Sequence, residues 1–241
     1  MDNSVYVALS RQVSALRQLN VISNNIANAN TAGFKSEALV FQEFLTEDAN
    51  NEDTAFVQDF ATIRNLEAGS LQQTSNTFDL AINGSGYFSV QVGEDQFYTR
   101  SGNFTLNQEG VLTTQNGDPV LSGDGNPIQF AETDRDIAFF GDGRIEVAGA
   151  PRGDIGIFQF EDEQELEALS GSLFSSEQLP VVDPTAAKLA QGFIEKSNVN
   201  PIKQTTDLIQ MQRSYEGVSG FISGLYEIQE DAIRRIARQN V

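Results

Sequence analysis

The sequence predicts an α+β fold in which N- and C-terminal helices form a coiled-coil domain around a central, mostly-β body. Three observations predict it. From Leu208, apolar side chains recur at Met211, Tyr215, Val218, Ile222, Leu225, Ala232 and Ile236, spaced by threes and fours and interrupted at Gln229. At the other terminus Val5, Leu9, Val13, Leu16 and Leu19 keep helical spacing. Between these ends the apolar period falls to two, and turn residues punctuate the chain about every ten positions.

The first helix closes at an Asn-rich stretch, Ser23 to Asn30, before a turn at Gly33. Asn24, Asn25, Asn28 and Asn30 compete with the backbone for hydrogen bonds and weaken a helix. They mark either a frayed helix end or amides that pair with a neighbouring chain. Glu37 to Leu45 fits a short helix or a strand, and the polar run Glu47 to Asp53 reads as a loop. Strands follow at Asp79–Ile82, Tyr87–Val92, Gln96–Thr99, Val111–Thr114 and Pro119–Leu121. Asn116-Gly117 between the last two is a hairpin signal, because both residues tolerate positive φ. Further strands are expected near 128–130, 136–140, 144–147 and 154–160, then an irregular stretch, then helix from about Asn198. The expected units are residues 1–36, 37–187 and 188–241.

Charge separates the same three parts. The chain carries −19 overall, with −22 in residues 37–187 and +2 and +1 in the two ends. An acidic body repels phosphate backbones and anionic headgroups, so no nucleic-acid partner and no membrane insertion are expected. No apolar run approaches the length of a membrane span, and the amphipathic start, with Arg11 and Arg17 inside it, does not read as a cleavable signal peptide. The chain has no Cys and no His, which removes the usual ligands of zinc, iron–sulfur and haem and the commonest general base. No metal, cofactor or catalytic residue is expected.

Local motifs agree with that reading. Gly84-Ser85-Gly86 resembles part of a phosphate-binding loop, but a strand follows it where a helix would be needed, so a tight β turn is expected. The run Glu161 to Glu165 lacks the alternation and central Gly of a calcium loop and reads as solvated charge. A β-rich carbohydrate-acting enzyme or adhesin is the alternative of another class, and the absence of Trp weakens it.

Four ordered blocks carry a family resemblance. Residues 23–35 resemble the NNxANxxTxGFK signature of flagellar axial proteins of the rod and hook, and residues 79–88 are similar to their DLAIxGxGFF block. Residues 98–112 resemble their YTRxGxF and GxL elements. Residues 191–200 and 212–216 resemble their QGxLExSNV and QRxYE blocks. Ala32 departs from the pattern, which commonly has Pro there, and implies a looser exit from the first helix. The resemblance implies a structural subunit of the periplasmic rod of the basal body, on its proximal part, with the distal rod as the alternative. It also implies export through the flagellar apparatus, assembly with copies of itself and with neighbouring rod proteins, and transmission of torque. The assembly residues expected from the helical pattern are Val5, Leu9, Val13, Leu16, Leu208, Met211, Tyr215, Val218, Ile222, Leu225, Ala232 and Ile236. The Asn cluster and the family blocks add Asn24, Asn25, Asn28, Asn30, Gly33, Phe34, Asn198 and Arg213.

Overall fold

A computed structural model describes residues 2–47, 53–169, 172–182 and 187–239, with side chains over 5–41, 61–169, 172–181 and 187–235. Two helices bound the chain, α1 (Asp2–Ala27) and α2 (Pro201–Gln239), with antiparallel strands between them. The strands are β1 (Glu37–Glu47), β2 (Asp53–Arg64), β3 (Leu71–Gln73), β4 (Leu80–Gly84), β5 (Tyr87–Val92) and β6 (Asp95–Thr99). They continue with β7 (Thr105–Leu106), β8 (Leu112–Thr113), β9 (Ile137–Phe139), β10 (Arg144–Val147), β11 (Ala150–Asp154) and β12 (Ile157–Gln159). The last are β13 (Glu167–Ala168), β14 (Leu173–Ser175), β15 (Val181–Val182), β16 (Ala187–Gln191) and β17 (Phe193–Glu195). Terminal helices packed together around a mostly-β centre are the architecture that the two periodicities predict.

The chain divides into two compact units whose boundaries differ from the expected ones. One comprises Met1–Ala27, Glu37–Arg64 and Asn200–Val241, and the other Asn28–Ser36 and Asn65–Val199. The segment 37–45, left open between helix and strand, is strand, and it pairs with β2 in a hairpin with a bulge at Val40/Phe41. The hairpin groups with the helices because both its strands pack on α1. Of the loop expected over Glu47 to Asp53, the two ends are strand, Glu47 closing β1 and Asp53 opening β2, and 48–52 lie outside the described residues. At the C-terminal side, residues 188–199, expected with the helix, belong to the body. There β16 pairs with β4 and β17 with β3, and α2 begins only at Pro201. Asn200 explains that start: its Oδ1 accepts from the backbone N–H of Ile202 and Lys203, both at 3.1 Å, and Pro201 fills the first helical position, where a missing N–H costs nothing.

Within the body, β13, β14, β6, β5, β12 and β15 lie side by side in that order. The run Tyr87-Phe88-Ser89-Val90 is buried throughout because this sheet is covered on both faces. Phe88 and Val90 enter the larger core with Leu80, Ile82, Phe104, Leu112 and Phe130. Tyr87 enters a second, aromatic cluster with Tyr98, Phe158, Phe160 and Phe174. Edge-to-face rings fix both clusters, Phe88 on Phe104 at 5.1 Å and Tyr98 on Phe160 at 4.8 Å between centroids. Gln115 to Asp118 forms the expected turn, with Gly117 at φ 95° and Thr114 N–H donating to Asp118 O at 2.8 Å.

The acidic run folds into a one-turn 3₁₀ helix, Glu163–Glu165, capped by Asp162, whose side chain accepts from Gln164 N–H at 2.8 Å. Glu163 accepts from the Tyr87 hydroxyl at 2.8 Å, and Glu165 from the Gln178 amide at 2.5 Å. Two of these carboxylates thus brace the sheet and the 161–178 stretch instead of standing free in solvent.

Ser89, fully buried beside these rings, places its Oγ with no hydrogen-bond partner. An unmade hydrogen bond of a buried hydroxyl costs about 1–3 kcal/mol. Ser89→Ala is therefore expected to stabilise the protein by about 1 kcal/mol in urea unfolding, and a lower midpoint at unchanged slope would contradict this.

Candidate assembly surface

The inward face of α1 is small and regular. Val5, Ala8, Gln12, Ala15, Leu19 and Ile22 are buried or half-buried at heptad spacing, and α1 packs on α2 and the hairpin. On α2 the half-buried positions are Leu208, Met211, Tyr215, Val218, Ile222 and Leu225, the positions picked out by the sequence period. Gln229, which breaks the apolar repeat, is half-buried in the same register. Arg213 and Ala232 are exposed, and the side chain of Ile236 lies outside the described residues.

The other expected α1 positions divide. Val5 belongs to the inward seam, whereas Leu9, Val13 and Leu16 are exposed together with Tyr6, at 44 to 62% of their full area. These four stand at intervals of three, four and three residues, so α1 carries a second apolar stripe beside the one that faces its own chain. Periodicity found the stripe. It could not tell which stripe the chain keeps for itself, because both have heptad spacing.

The Asn cluster divides as well. Asn25 is buried and locks onto the start of β1: its Nδ2 donates to Glu37 O at 2.8 Å, and its Oδ1 accepts from Glu37 N–H at 2.9 Å. Asn28 accepts from the Thr31 hydroxyl at 3.1 Å. These two amides act inside the chain, a reading that neither sequence alternative contained, while Asn24 and Asn30 are exposed.

Gly33 and Phe34 are buried in the body, after a turn whose residues are half-buried or exposed. Phe34 N–H donates to Thr31 O at 3.3 Å and Gly33 has φ 69°, which makes Ala32-Gly33 the central pair of a type II turn. A Cβ on Gly33 would lie 2.5 Å from the Arg100 carbonyl carbon, so space as well as φ requires glycine. Asn198 gathers three segments. Its Oδ1 accepts from Ser36 N–H at 2.7 Å, and its Nδ2 donates to Asn65 O at 2.9 Å and Glu67 O at 3.0 Å.

Beside it lies a group that sequence reasoning missed. Glu195, 1% exposed, accepts from Lys35 Nζ at 2.8 Å through Oε1 and from Arg100 Nε at 2.6 Å through Oε2. Gly69 N–H also donates to Oε1 at 2.9 Å, and Lys35 makes a second bond to Glu67 O at 2.8 Å. The Arg100 guanidinium bonds the carbonyls of Ile82 at 3.1 Å and Gly84 at 2.5 Å, and that of Gly86. The glycine loop thus turns its carbonyls to a cation, the reverse of a phosphate cradle. Burial, the largest effect on both, opposes charge. It lowers the Lys35 pKa against the pull of Glu195, whereas for Glu195 the two cations and their hydrogen bonds outweigh it and hold the carboxyl below its usual range. The available signal was a charged residue closing an apolar run: Arg100 after Phe97-Tyr98-Thr99, and Glu195 after Phe193-Ile194.

Among the described residues, no group of three or more His, Cys, Asp or Glu is placed to hold a metal ion, and no helix is long and apolar enough to cross a membrane.

A helix pair with an uncovered apolar stripe is joined to a β body whose start, middle and end meet at Glu195, and the comparisons show the family to which such a chain belongs. Residues 5–35 match the family described as flagella basal body rod protein, residues 81–147 the flagellar hook protein FlgE/F/G D1 domain, and residues 190–235 the flagellar basal body rod FlgEFG protein C-terminal region. The flagellar basal-body rod protein FlgF of Caulobacter vibrioides is 37% identical over the full length of both chains, and that of Mesorhizobium japonicum 32% over the same extent. FlgG of Bacillus subtilis is 30% identical, covering 97% of this chain and 98% of its own. The chain belongs to the flagellar basal-body rod protein family. Within that family it is most like the proteins named FlgF.

Two expectations follow from this geometry. Glu195→Gln leaves two buried cations without a counter-charge and is expected to destabilise the protein by about 3–5 kcal/mol at pH 7. Because the folded-state pKa of Glu195 is depressed, its contribution is complete above the ordinary value of 4.5 and is lost as pH falls through the folded value. The gap between wild type and Glu195→Gln should therefore narrow on acidification below about pH 4.5, and a gap constant from pH 7 to 3 in urea titrations would refute the assignment. Ala32→Pro, at the turn position where proline presets φ, is expected to raise stability by about 0.4–1 kcal/mol; a lowered melting temperature would show that the turn cannot accept the ring.

Proposed function

We propose that this chain is a structural, non-enzymatic subunit of the flagellar basal-body rod, located in the periplasmic part of the basal body. It builds a helical tube through its terminal helices, exposes its acidic body on the outside, and passes torque from motor to hook. Membership of a rod family, with full-length similarity to FlgF, supports the proximal rod. The observation that carries assembly is the stripe Tyr6, Leu9, Val13 and Leu16, an apolar face at coiled-coil spacing that the folded chain leaves in water. Its partners are neighbouring rod proteins and further copies of the chain, and it reaches the rod through the flagellar export apparatus. Contacts of this kind are head-to-tail and do not close on themselves, which is how one polypeptide extends a shaft. Asn24 and Arg213 on the helices and Asn30 in the turn after α1, all exposed, are assigned to the same interfaces.

The test uses the stripe, because it lies outside the folded core. Leu9→Asp should leave thermal stability within about 0.5 kcal/mol of wild type and leave export intact. Its charge cannot be desolvated cheaply against a neighbouring helix, so the protein should be missing from purified basal bodies and the cells should not swim. Glu227→Ala, an exposed position off the seam, serves as control and should be silent. Swimming Leu9→Asp cells with wild-type rod content would refute the proposal.

A further inference from the structure

The dipeptide Asn-Gly occurs twice in this chain, at Asn83-Gly84 and at Asn116-Gly117. It is a reactive pair, because glycine has no side chain to shield its backbone nitrogen from the neighbouring amide. Once hydroxide has taken its proton, that nitrogen can attack the Asn side-chain carbon. A C–N bond closes a five-membered imide, and the side-chain nitrogen leaves as ammonia with a proton from water. A second water opens the ring at either carbonyl and leaves aspartate or isoaspartate. The net change is hydrolysis of one amide, with no enzyme or oxidant required.

Sequence and exposure do not separate the two sites. Both pairs face solvent, and neither Asn amide has a hydrogen-bond partner among the described residues. The backbone separates them. Ring closure needs a twist that neither a strand nor a hydrogen-bonded turn supplies, so it proceeds from a locally opened chain and its rate follows the cost of opening. Asn83 lies in β4 opposite Lys188 of β16. The next carbonyl, that of Gly84, is fixed by the Arg100 guanidinium at 2.5 Å, which also holds the carbonyls of Ile82 and Gly86. Freeing Asn83 therefore breaks a ladder and strips partners from a buried cation of the Glu195 cluster. Asn116 lies at the tip of the turn after β8. Gly117 N–H donates to Thr114 O at 3.0 Å, Thr114 N–H to Asp118 O at 2.8 Å, and the Thr114 hydroxyl to Asp118 Oδ2 at 3.0 Å. A Cβ on Gly117 would meet nothing within 4 Å, so the tip stands clear of the rest of the chain. Opening it breaks a few bonds at the surface and disturbs neither apolar cluster.

We propose that Asn116 is a site of spontaneous covalent modification, deamidating in the folded protein while Asn83 is protected within β4. The product adds a negative charge beside Asp118. As isoaspartate it also lengthens the main chain by one atom and puts the Thr114–Asp118 pair out of register. This inference does not depend on the assignment of the chain to the rod.

The test follows both sites in the wild-type, full-length chain, incubated at mildly alkaline pH in buffer and in denaturing guanidinium chloride, by mass spectrometry of its peptides. In denaturant, local sequence alone sets the two rates. In buffer, the rate at Asn116 relative to Asn83 is expected to exceed the denatured ratio by about tenfold or more, since only the strand site must open against Arg100. A ratio equal to or below the denatured one, or an Asn116 that reacts in denaturant and stays intact in buffer, would overturn the inference.

Discussion

A single carboxylate organises the β body. Glu195 is held between Lys35 and Arg100, which lie 160 and 95 residues away from it in sequence, and all three are buried. On energetic grounds such a cluster is a poor source of net stability, because removing three charges from water costs about as much as their attraction returns. The apolar clusters do that work, at about 1.5–3 kcal/mol for each large side chain fully buried. The ion cluster selects among arrangements. Any packing that separates Glu195 from either cation leaves a charge buried alone, so the start, middle and end of the body can meet in only one register.

The clamp is reinforced by backbone. Gly33 N–H donates to Glu195 O at 2.9 Å, Asn198 N–H to Phe34 O at 3.3 Å, and Asn65 N–H to Ser36 O at 2.8 Å. The segments that lead toward α1, the hairpin and α2 are thus fixed to one another inside the body. Gly33 permits this because the chain passes too close to Arg100 for any side chain. Lys35 and Glu195 cannot pair until the C-terminal part of the body is present, so a chain emerging from either end is unable to complete the clamp early.

Much of this was legible in the sequence, for reasons that also explain what was not. The α2 seam could be read from Leu208 to Leu225 because one heptad register runs through it, but the register does not show where the cover ends, since Ala232 keeps it and is exposed. Tyr87–Val92 and Arg144–Val147 were read at their observed limits because turn signals flank both. Residues 188–199 are grouped by sequence with the C-terminal unit, ahead of a helix expected from about Asn198, because Lys188 to Asn200 has no period of its own; the strand character of β16 and β17 comes from pairing with β4 and β3, far away in sequence. The same holds for the clamp. Lys35, Arg100 and Glu195 stand in three of the recognised blocks, but the blocks record identity and spacing along the chain, while the contact is across it. Asn25 shows the finest limit. Its amide was recognised as out of place in a helix, and only the position of Glu37 reveals what it bonds.

The clamp also makes the body a detachable cassette. Every connection that enters or leaves it passes the small region around Glu195 and Asn198, so the turns remote from that region are free to lengthen without moving the points where the chain departs. The alignment with the Bacillus subtilis protein extends over 261 positions against the 241 of this chain, so that relative carries insertions with respect to it. The outlying turns of the body can therefore lengthen while the segments that lead to the helices and to the hairpin keep their mutual spacing.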